Sequence, residues 1–344
     1  MLPKPSVQSL KPYTTKSHDY TIKLDANEAT QNVLLDFVQS IPNDLYRYPD
    51  NHARLLREKA AEYYEMNPTN MIAGNGSSEL IELILKTYID YQDTVIGFEP
   101  SFTMYKVFSD IYSANYIGME TDWPFDLNAE SIINLANQHQ AKIILLCTPN
   151  NPTGKAIDAE LIKQILENTN ALVVVDEAYI EFYDQTKTML TYLADYDRLI
   201  VLRTVSKALG LAGIRLGFLF AHATIVETLN TVKAPYNLNT LTQTFGLYAF
   251  DAIDAADAYL SHVKKEREWV YQALCAMSLR VLPSKANFLF FQSPTKDLFE
   301  KLLSKGILIR QFTGKLKGYY RVSIGTHDEN HKFIQSMKEV MTHA

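Results

Sequence analysis

Short apolar runs alternate with amphipathic stretches along the first two thirds of this 344-residue chain. Continuous apolar runs bounded by turn residues predict buried strands, and apolar residues recurring at helical spacing predict the helices between them. The predicted strands are Asn70–Ala73, Thr94–Phe98, Ala114–Met119, Lys142–Cys147, Leu172–Val175, Leu199–Arg203 and Arg215–Ala221. The predicted helices are Ala53–Met66, Glu79–Tyr88, Ser101–Tyr112, Asn128–Asn137 and Asp158–Asn168. This alternation indicates an α/β fold, in which helices cover both faces of a mainly parallel sheet of about seven strands.

The pattern changes beyond Asn237, where a long helical stretch from Leu238 to about Met277 precedes shorter strands. Those strands are predicted at Leu279–Leu282, Asn287–Phe291, Ile307–Ile309 and Tyr319–Ser323, with a last helix at about Glu329–Met341. The first forty residues have little regular pattern and predict an extended arm that packs with this later region. We therefore expect an arm at 1–40, a large domain at 41–240 and a small α+β domain at 241–344.

Composition narrows the class of protein. The chain is 47% hydrophobic and 21% charged, as in soluble globular enzymes, and its formal charge of −6 argues against a nucleic-acid partner. Its apolar runs are too short to span a membrane, and the N-terminal stretch lacks the apolar core of a signal peptide. Two cysteines and eight scattered histidines give no metal-ligand spacing. We expect a cytoplasmic protein with no metal and no membrane partner.

Lys207 stands just after one of the predicted buried strands, Leu199–Arg203. Desolvation of an ammonium is costly and lowers its pKa, so a lysine at the end of such a strand is unusual. One interpretation is a surface lysine at a strand-to-helix turn. The other is an amine that forms a Schiff base with an aldehyde cofactor.

Functional groups gather at the carboxyl ends of the strands in parallel α/β sheets. The segments that follow the predicted strands here include Gly76-Ser-Ser78, the run TPNNPTG from Thr148, the run DEAY from Asp176, and Ser206-Lys207. A pyridoxal phosphate site needs an amine, an anion pocket and a carboxylate at the ring nitrogen. Lys207 and Asp176 supply the first and the last of these groups, although Asp176 alone would also suit a helix cap.

The remaining candidates complete such a site. Tyr179 and Asn151 are suited to hydrogen-bond the 3-hydroxyl of the ring, although Asn151 alone also suits a turn. Gly76, Ser77 and Ser78 open a helix whose N–H groups can bind a phosphate, or simply cap it. Ser206 and the fork-shaped guanidinium of Arg215 would complete that pocket. Phe102 would stack on the pyridine face, or lie in the core.

The motifs TPNNPTG, DEAY and SKALGLAGIRLGF, in this order, resemble those of the fold type I pyridoxal-phosphate-dependent aminotransferases of class II. Further motifs resemble the histidinol-phosphate aminotransferase family in particular: LDANE, YRYPD, GNGSSELI, APYNLN and YYRVSIGT. The likeness covers nearly the whole chain. It implies an aspartate-aminotransferase-like fold and a cofactor that alternates between pyridoxal and pyridoxamine 5'-phosphate.

The resemblance also implies roles for individual residues. Lys207 would be the Schiff-base lysine and proton shuttle, Tyr48 would reach the cofactor phosphate from a partner subunit, and the protein would be a homodimer with shared active sites. Arg321 would hold the α-carboxylate of glutamate, and Arg310 would bind the substrate phosphate. The other residues expected near the substrate are Tyr13, Asn27 and Tyr236. Phe102 replaces a tyrosine found in some relatives, and the segment between the two arginines is short.

The expected reaction converts L-histidinol phosphate and 2-oxoglutarate to imidazole-acetol phosphate and L-glutamate, reversibly, in histidine biosynthesis. An aromatic amino acid aminotransferase, acting on phenylalanine or tyrosine, is the main alternative. A decarboxylase of the threonine-phosphate type on the same fold and a non-enzymatic cofactor-binding regulator are further alternatives.

Overall fold

The computed structural model describes residues 18–30 and 45–342, together with residues 10 and 42. Tyr13 and most of the predicted arm lie outside these residues. The described chain forms two sheets, one of seven strands and one of five. Within it, no helix is both long and apolar enough to cross a membrane.

The large sheet has the strand order β2-β8-β7-β6-β5-β3-β4. Its strands are β2 (Met71–Asn75), β3 (Thr94–Glu99), β4 (Asn115–Glu120), β5 (Ile143–Cys147), β6 (Leu172–Asp176), β7 (Leu199–Thr204) and β8 (Leu216–Ala221). Only β8 runs against its two neighbours, so the sheet is mainly parallel. The predicted α/β architecture is confirmed, with strand ends shifted by one or two residues.

Helices cover both faces of this sheet. They are α1 (Arg54–Tyr64), α2 (Gly76–Tyr88), α3 (Met104–Ile111), α4 (Ala129–Gln138), α5 (Ala159–Asn168), α6 (Ala223–Val232) and α7 (Thr240–Asp251). Successive strand residues alternate between two hydrophobic clusters. Val173 and Val175 of β6 belong to one cluster, and Val174 between them belongs to the other. A strand buried on both faces must be apolar at every position, which explains the continuous apolar runs.

The small sheet has the order β1-β11-β12-β10-β9. Its strands are β1 (Ile22–Leu24), β9 (Arg280–Val281), β10 (Phe288–Gln292), β11 (Ile307–Gln311) and β12 (Tyr319–Ser323). Its helices are α8 (Ala255–Ala276), α9 (Leu298–Leu303) and α10 (His327–Thr342). Strand β1 pairs in parallel with β11, so the N-terminal segment contributes an edge strand to this sheet. Three residues are too few for a strand pattern to stand out in the sequence.

The long helix expected from Leu238 to Met277 is wrong, because the chain forms two helices there, α7 and α8. The break lies close to where the chain passes from one core to the other. Phe250 at the end of α7 and Ala256 at the start of α8 belong to the cluster of the large sheet, whereas Tyr259 and Val263 of α8 belong to the cluster of the small sheet. The domain boundary at residues 240 and 241 stays a prediction.

Candidate active site

The candidate active site lies at one edge of the large sheet. Strands β2, β3, β5, β6 and β7 run in the same direction, so their carboxyl ends share that edge with the amino end of β8. Such an edge is where α/β proteins bind ligands. The motifs singled out in the sequence therefore converge through the topology of the sheet.

Lys207 follows β7 at this edge. Its Nζ atom donates a hydrogen bond to the Ala26 carbonyl oxygen at 3.3 Å, across 181 residues of sequence. The pKa of the Lys207 ammonium is lowered to about 8. Burial is the largest cause, and the positive charge of Arg321 is the second. A neutral amine, which is a nucleophile, is thus accessible near neutral pH. A surface lysine would keep its ordinary pKa, so the lowered pKa of Lys207 argues against the first interpretation.

Asp176 ends β6, and its side chain is buried. Its Oδ2 atom accepts a hydrogen bond from the Tyr105 hydroxyl at 3.0 Å, and its Oδ1 atom accepts one from the Ala178 N–H at 3.2 Å. Burial raises the pKa of Asp176 to about 6, while these two hydrogen bonds oppose that change. Such a carboxyl group can pair with a protonated ring nitrogen.

Gly76, Ser77 and Arg215 form a compact concave site at the start of α2. A Cβ atom on Gly76 would lie 2.6 Å from Nη2 of Arg215, so the guanidinium lies directly over this glycine. A Cβ on Gly217 would lie 2.6 Å from the Ser77 nitrogen, so only glycine lets β8 approach the helix start. The Asn75 side chain does not cap α2, and its amide nitrogen donates to the Asn237 carbonyl at 2.6 Å. The start of the helix therefore has no side-chain cap from Asn75 and lies beside the Arg215 guanidinium.

Ser206 is buried between β7 and this concave site. The Thr204 hydroxyl lies 2.9 Å from the Ser206 hydroxyl and accepts the Ser206 N–H at 3.1 Å. Thr204 thereby fixes the turn that carries both Ser206 and Lys207. Ser78, the third residue of the Gly-Ser-Ser turn, is half-buried in the first turn of α2.

The two asparagines of the TPNNPTG turn differ in their contacts. Asn150 is buried and satisfied, since it accepts from Ser101 at 2.9 Å and donates to the Pro100 carbonyl at 3.0 Å. It ties the turn to the loop that carries Phe102. Asn151 is half-buried instead, and its Oδ1 atom accepts a hydrogen bond from Arg321 at 2.5 Å. Asn151 is therefore the asparagine directed toward the site.

Tyr179 connects the large sheet with the N-terminal segment. Its hydroxyl accepts a hydrogen bond from the Asn27 amide at 3.1 Å, and burial raises its pKa to about 12. Asn27 is buried and is itself held by Ser323, whose hydroxyl donates to the Asn27 side-chain oxygen at 3.1 Å. Asn27 has a left-handed backbone with φ 54°, a conformation that asparagine tolerates. This network joins both sheets next to the lysine.

Arg321 and Arg310 pair in register on β12 and β11, so the two sheet strands bring them side by side. Arg321 is almost fully buried, and its Nη2 atom donates to the Asp25 carbonyl at 2.6 Å. Its Cζ atom lies 5.3 Å from the centre of the Phe288 ring. Arg310 is exposed. Among the residues that the structure describes, Arg321 contacts another candidate residue directly, namely Asn151.

Tyr48 and Tyr236 stack on each other, with ring centres 4.7 Å apart. Tyr48 is 82% exposed, and the Tyr236 N–H donates to the Asn51 side chain at 2.7 Å. The pair lies on the surface, and no described contact joins it to Lys207 or Asp176. Tyr13 lies outside the described residues.

Three comparisons with known proteins place this chain in a family. The model of the aminotransferase class I and II family matches residues 19–337. Histidinol-phosphate aminotransferase of Caldanaerobacter subterraneus is 36% identical over 347 residues, covering 98% of this chain and 97% of the relative. The Clostridium novyi protein of the same name is 34% identical, covering 96% and 95%.

This chain belongs to the histidinol-phosphate aminotransferase family. The family resemblance of its motifs is thereby confirmed, and the protein is an aminotransferase. A solved structure agrees on the fold: histidinol-phosphate aminotransferase of Sinorhizobium meliloti, in complex with pyridoxal-5'-phosphate, superimposes with a TM-score of 0.90. It shares 20% identity, and the match covers 98% of this chain and 97% of that one.

The aminotransferase also contains site residues that sequence reasoning missed. Tyr105 contacts Asp176, and Thr204 supports the lysine turn. Arg203 is buried on β7 and forms ion pairs with Glu177 at 3.0 Å and Glu181 at 3.4 Å. A charged residue inside a predicted buried strand was the available signal for Arg203, because a buried charge requires a partner. Nothing in the sequence distinguishes Tyr105 from the other 20 tyrosines.

Proposed function

We propose that this aminotransferase converts L-histidinol phosphate and 2-oxoglutarate to imidazole-acetol phosphate and L-glutamate, reversibly, with pyridoxal 5'-phosphate as cofactor. The reaction is a step of histidine biosynthesis. The observation that carries the chemistry is Lys207, a desolvated amine whose pKa is lowered to about 8, at the same sheet edge as Asp176. The near-full-length similarity to proteins named for this reaction supports the substrate pair.

The residues present fit the cofactor. Gly76 has no side chain, and the Arg215 guanidinium lies beside it. Gly76 also begins α2, whose first N–H groups have no cap from the Asn75 side chain. A phosphate suits this combination of a guanidinium and a helix start. Pyridoxal phosphate, when bound, supplies an electrophilic carbonyl carbon and an electron-withdrawing ring, and it alternates with its pyridoxamine form.

Each side chain has a proposed task toward that cofactor. Lys207 would be bound to the carbonyl carbon at rest and, once a substrate amine has displaced it, its free amine would move the proton of the substrate Cα. Asp176 pairs with the ring nitrogen, and Phe102 stacks on the ring face. Asn151 and Tyr179 bind the 3-hydroxyl oxygen. The phosphate is held by Gly76, Ser77, Ser78, Ser206 and Arg215.

The substrates are recognised by the arginine pair on the small sheet. Arg321 binds the α-carboxylate of glutamate and 2-oxoglutarate, for which its planar fork is well matched. Arg310 binds the phosphate of the other substrate. Its guanidinium is exposed, so a phosphate can reach it from solvent. Tyr13, Asn27 and Tyr236 complete the substrate site, with Asn27 acting through its hydrogen bond to Tyr179.

The enzyme is proposed to be a cytoplasmic homodimer with shared active sites, in which Tyr48 of one subunit reaches the cofactor phosphate of the other. Exposed aromatic side chains support this assembly. Tyr46 and Tyr48 are exposed on one short segment beside Tyr236, and exposed aromatic patches mark contact surfaces. The arm at 1–40 is proposed to pack with the small domain, 241–344, and with the partner subunit. The large domain is proposed to span 41–240.

The direct test of the chemistry compares the native protein with Lys207→Ala. The native protein should bind pyridoxal phosphate with visible absorbance and form glutamate from 2-oxoglutarate in the presence of L-histidinol phosphate. Lys207→Ala should lose both the lysine-bound absorbance and turnover. Lys285→Ala is a control, because Lys285 lies outside the site, over the Tyr183 ring. Turnover retained in Lys207→Ala would refute the proposed role of this lysine.

A further inference from the structure

Tyr105 contacts two of the residues that are proposed to touch the cofactor ring, Asp176 and Phe102. It lies on α3 with 1% of its surface exposed. Its hydroxyl donates to Oδ2 of Asp176 at 3.0 Å. Its ring meets the Phe102 ring edge to face, with centres 5.5 Å apart and planes at 89°. One buried side chain thus links the residue at the ring nitrogen with the residue on the ring face.

The hydrogen bond has a defined direction. Burial and the adjacent Asp176 carboxylate raise the pKa of Tyr105 far above its ordinary range, so its hydroxyl remains protonated and acts as the donor. The other carboxylate oxygen is held by the Ala178 N–H at 3.2 Å. Among the described residues, Tyr105 and Ala178 each donate to one oxygen of Asp176, and an oxygen with one donor retains a lone pair for a further one.

Removal of either donor would affect the carboxylate in two ways. A buried carboxylate with fewer donors protonates more readily, and it turns more freely about its last side-chain bond. The Ala178 donor is a backbone N–H, which any substitution other than proline leaves in place. Tyr105, which lies on α3, is thus the side-chain donor to Asp176 that a substitution can remove.

We propose that Tyr105 is a positioning residue for amino transfer, whose hydroxyl keeps Asp176 ionised and directed at the cofactor ring nitrogen while its ring fixes Phe102 on the ring face. The inference rests on the proposed function, because it acts through a cofactor with a ring nitrogen. It is distinct from the proposed phosphate pocket, which lies at α2 and β8, because Tyr105 lies on α3.

The first test measures the affinity of the full-length apoenzyme for pyridoxal phosphate and for its 1-deaza analogue, which has carbon in place of the ring nitrogen. Tyr105→Phe removes the hydroxyl and retains the ring. It should weaken binding of pyridoxal phosphate roughly tenfold, as expected for one hydrogen bond to a charged group, and leave binding of the analogue within about twofold. In turnover, kcat should fall while the KM for 2-oxoglutarate stays unchanged. Equal weakening for both ligands would overturn the inference.

Two further variants make the test specific. In an Asp176→Asn background, Tyr105→Phe should have no additional effect on pyridoxal phosphate affinity, because the two residues act as one unit. A further tenfold loss of affinity in the double variant relative to Asp176→Asn would also overturn the inference, and this comparison does not require Tyr105→Phe alone. Tyr112→Phe is the matched control, since the Tyr112 hydroxyl donates to Glu82 at 3.0 Å rather than to a site residue. Both affinities should be unchanged in Tyr112→Phe.

The failure of this inference can be told apart from failure of the proposed function. A native protein that does not bind pyridoxal phosphate would refute both. A native protein that binds it and transfers amino groups, together with a Tyr105→Phe variant of equal affinity and kcat, would refute only the positioning role.

Discussion

Arg321 donates a hydrogen bond from Nη1 to the side-chain oxygen of Asn151 at 2.5 Å, and this contact joins the two sheets across the active site. Arg321 belongs to β12 of the small sheet, whereas Asn151 follows β5 of the large sheet. The other terminal nitrogen of Arg321 holds the Asp25 carbonyl. The same guanidinium thus connects three segments of the chain.

Replacement of Arg321 by lysine should raise the KM for 2-oxoglutarate roughly ten- to a hundredfold, because an ammonium cannot make the paired hydrogen bonds of a guanidinium. Cofactor affinity should change much less. Steady-state kinetics with 2-oxoglutarate at saturating amino donor measures the effect. Arg280→Lys, on the same sheet but exposed, is the control. An unchanged KM in Arg321→Lys would rule out the proposed carboxylate contact.

The depressed pKa of Lys207 predicts a pH dependence for cofactor loading. Only the neutral amine attacks the cofactor carbonyl, and burial lowers the pKa of Lys207 to about 8. The rate of association between apoenzyme and pyridoxal phosphate should therefore rise as pH increases and level off above about 8. Stopped-flow absorbance at a series of pH values measures this rate. A rate that continues to rise toward 10.5, the ordinary value for lysine, would mean that Lys207 is not desolvated.

The ion pairs of Arg203 predict a large effect on stability. The side chains of Arg203 and Glu177 are only 2% and 0% exposed. Removal of the arginine therefore leaves buried carboxylates without a positively charged partner. Burial alone would lower the pKa of Arg203, but Glu181 and Glu177 raise it overall. Arg203→Met should reduce the free energy of unfolding by about 3–5 kcal/mol, as for other broken buried pairs. Urea unfolding at neutral pH measures this change.

An exposed ion pair provides the control for that experiment. Arg54 and Glu58 lie one turn apart on α1, with both side chains largely exposed and 3.3 Å between the charged atoms. Arg54→Met should change the unfolding free energy by no more than about 0.5 kcal/mol. Similar decreases in the unfolding free energy of the two variants would show that the buried Arg203 ion pairs stabilise the fold no more than an exposed pair does.

Shared active sites predict that two inactive variants complement each other. In a mixed dimer of Lys207→Ala and Tyr48→Ala subunits, one site combines both substitutions and the other combines neither. Random mixing at equal amounts should therefore restore about a quarter of native activity, since half of the dimers are mixed and each has one native site. The measurement is turnover after the two variants are dissociated and reassembled together. No recovery would indicate that Tyr48 serves its own subunit.

Local sequence was sufficient to predict the strands of the large sheet and the motifs that follow them. Lys207, Asp176 and the Gly76 turn each follow an apolar strand, and a parallel sheet brings such strand ends together whatever the details of packing. The contacts between distant segments could not be predicted. Asn27 with Tyr179, and Tyr105 with Asp176, depend on how arm, helix and sheet pack in three dimensions. The break between α7 and α8 also depends on packing, because no proline or glycine marks it.

The substrate preference of the purified enzyme tests the proposed function most directly. Specificity constants, kcat/KM, should be measured for L-histidinol phosphate and for L-phenylalanine as amino donors, with 2-oxoglutarate as acceptor. L-histidinol phosphate should be preferred at least about a hundredfold, because its phosphate gains charge-assisted hydrogen bonds that phenylalanine cannot make. An equal or greater specificity constant for phenylalanine would contradict the proposed function and favour an aromatic amino acid aminotransferase.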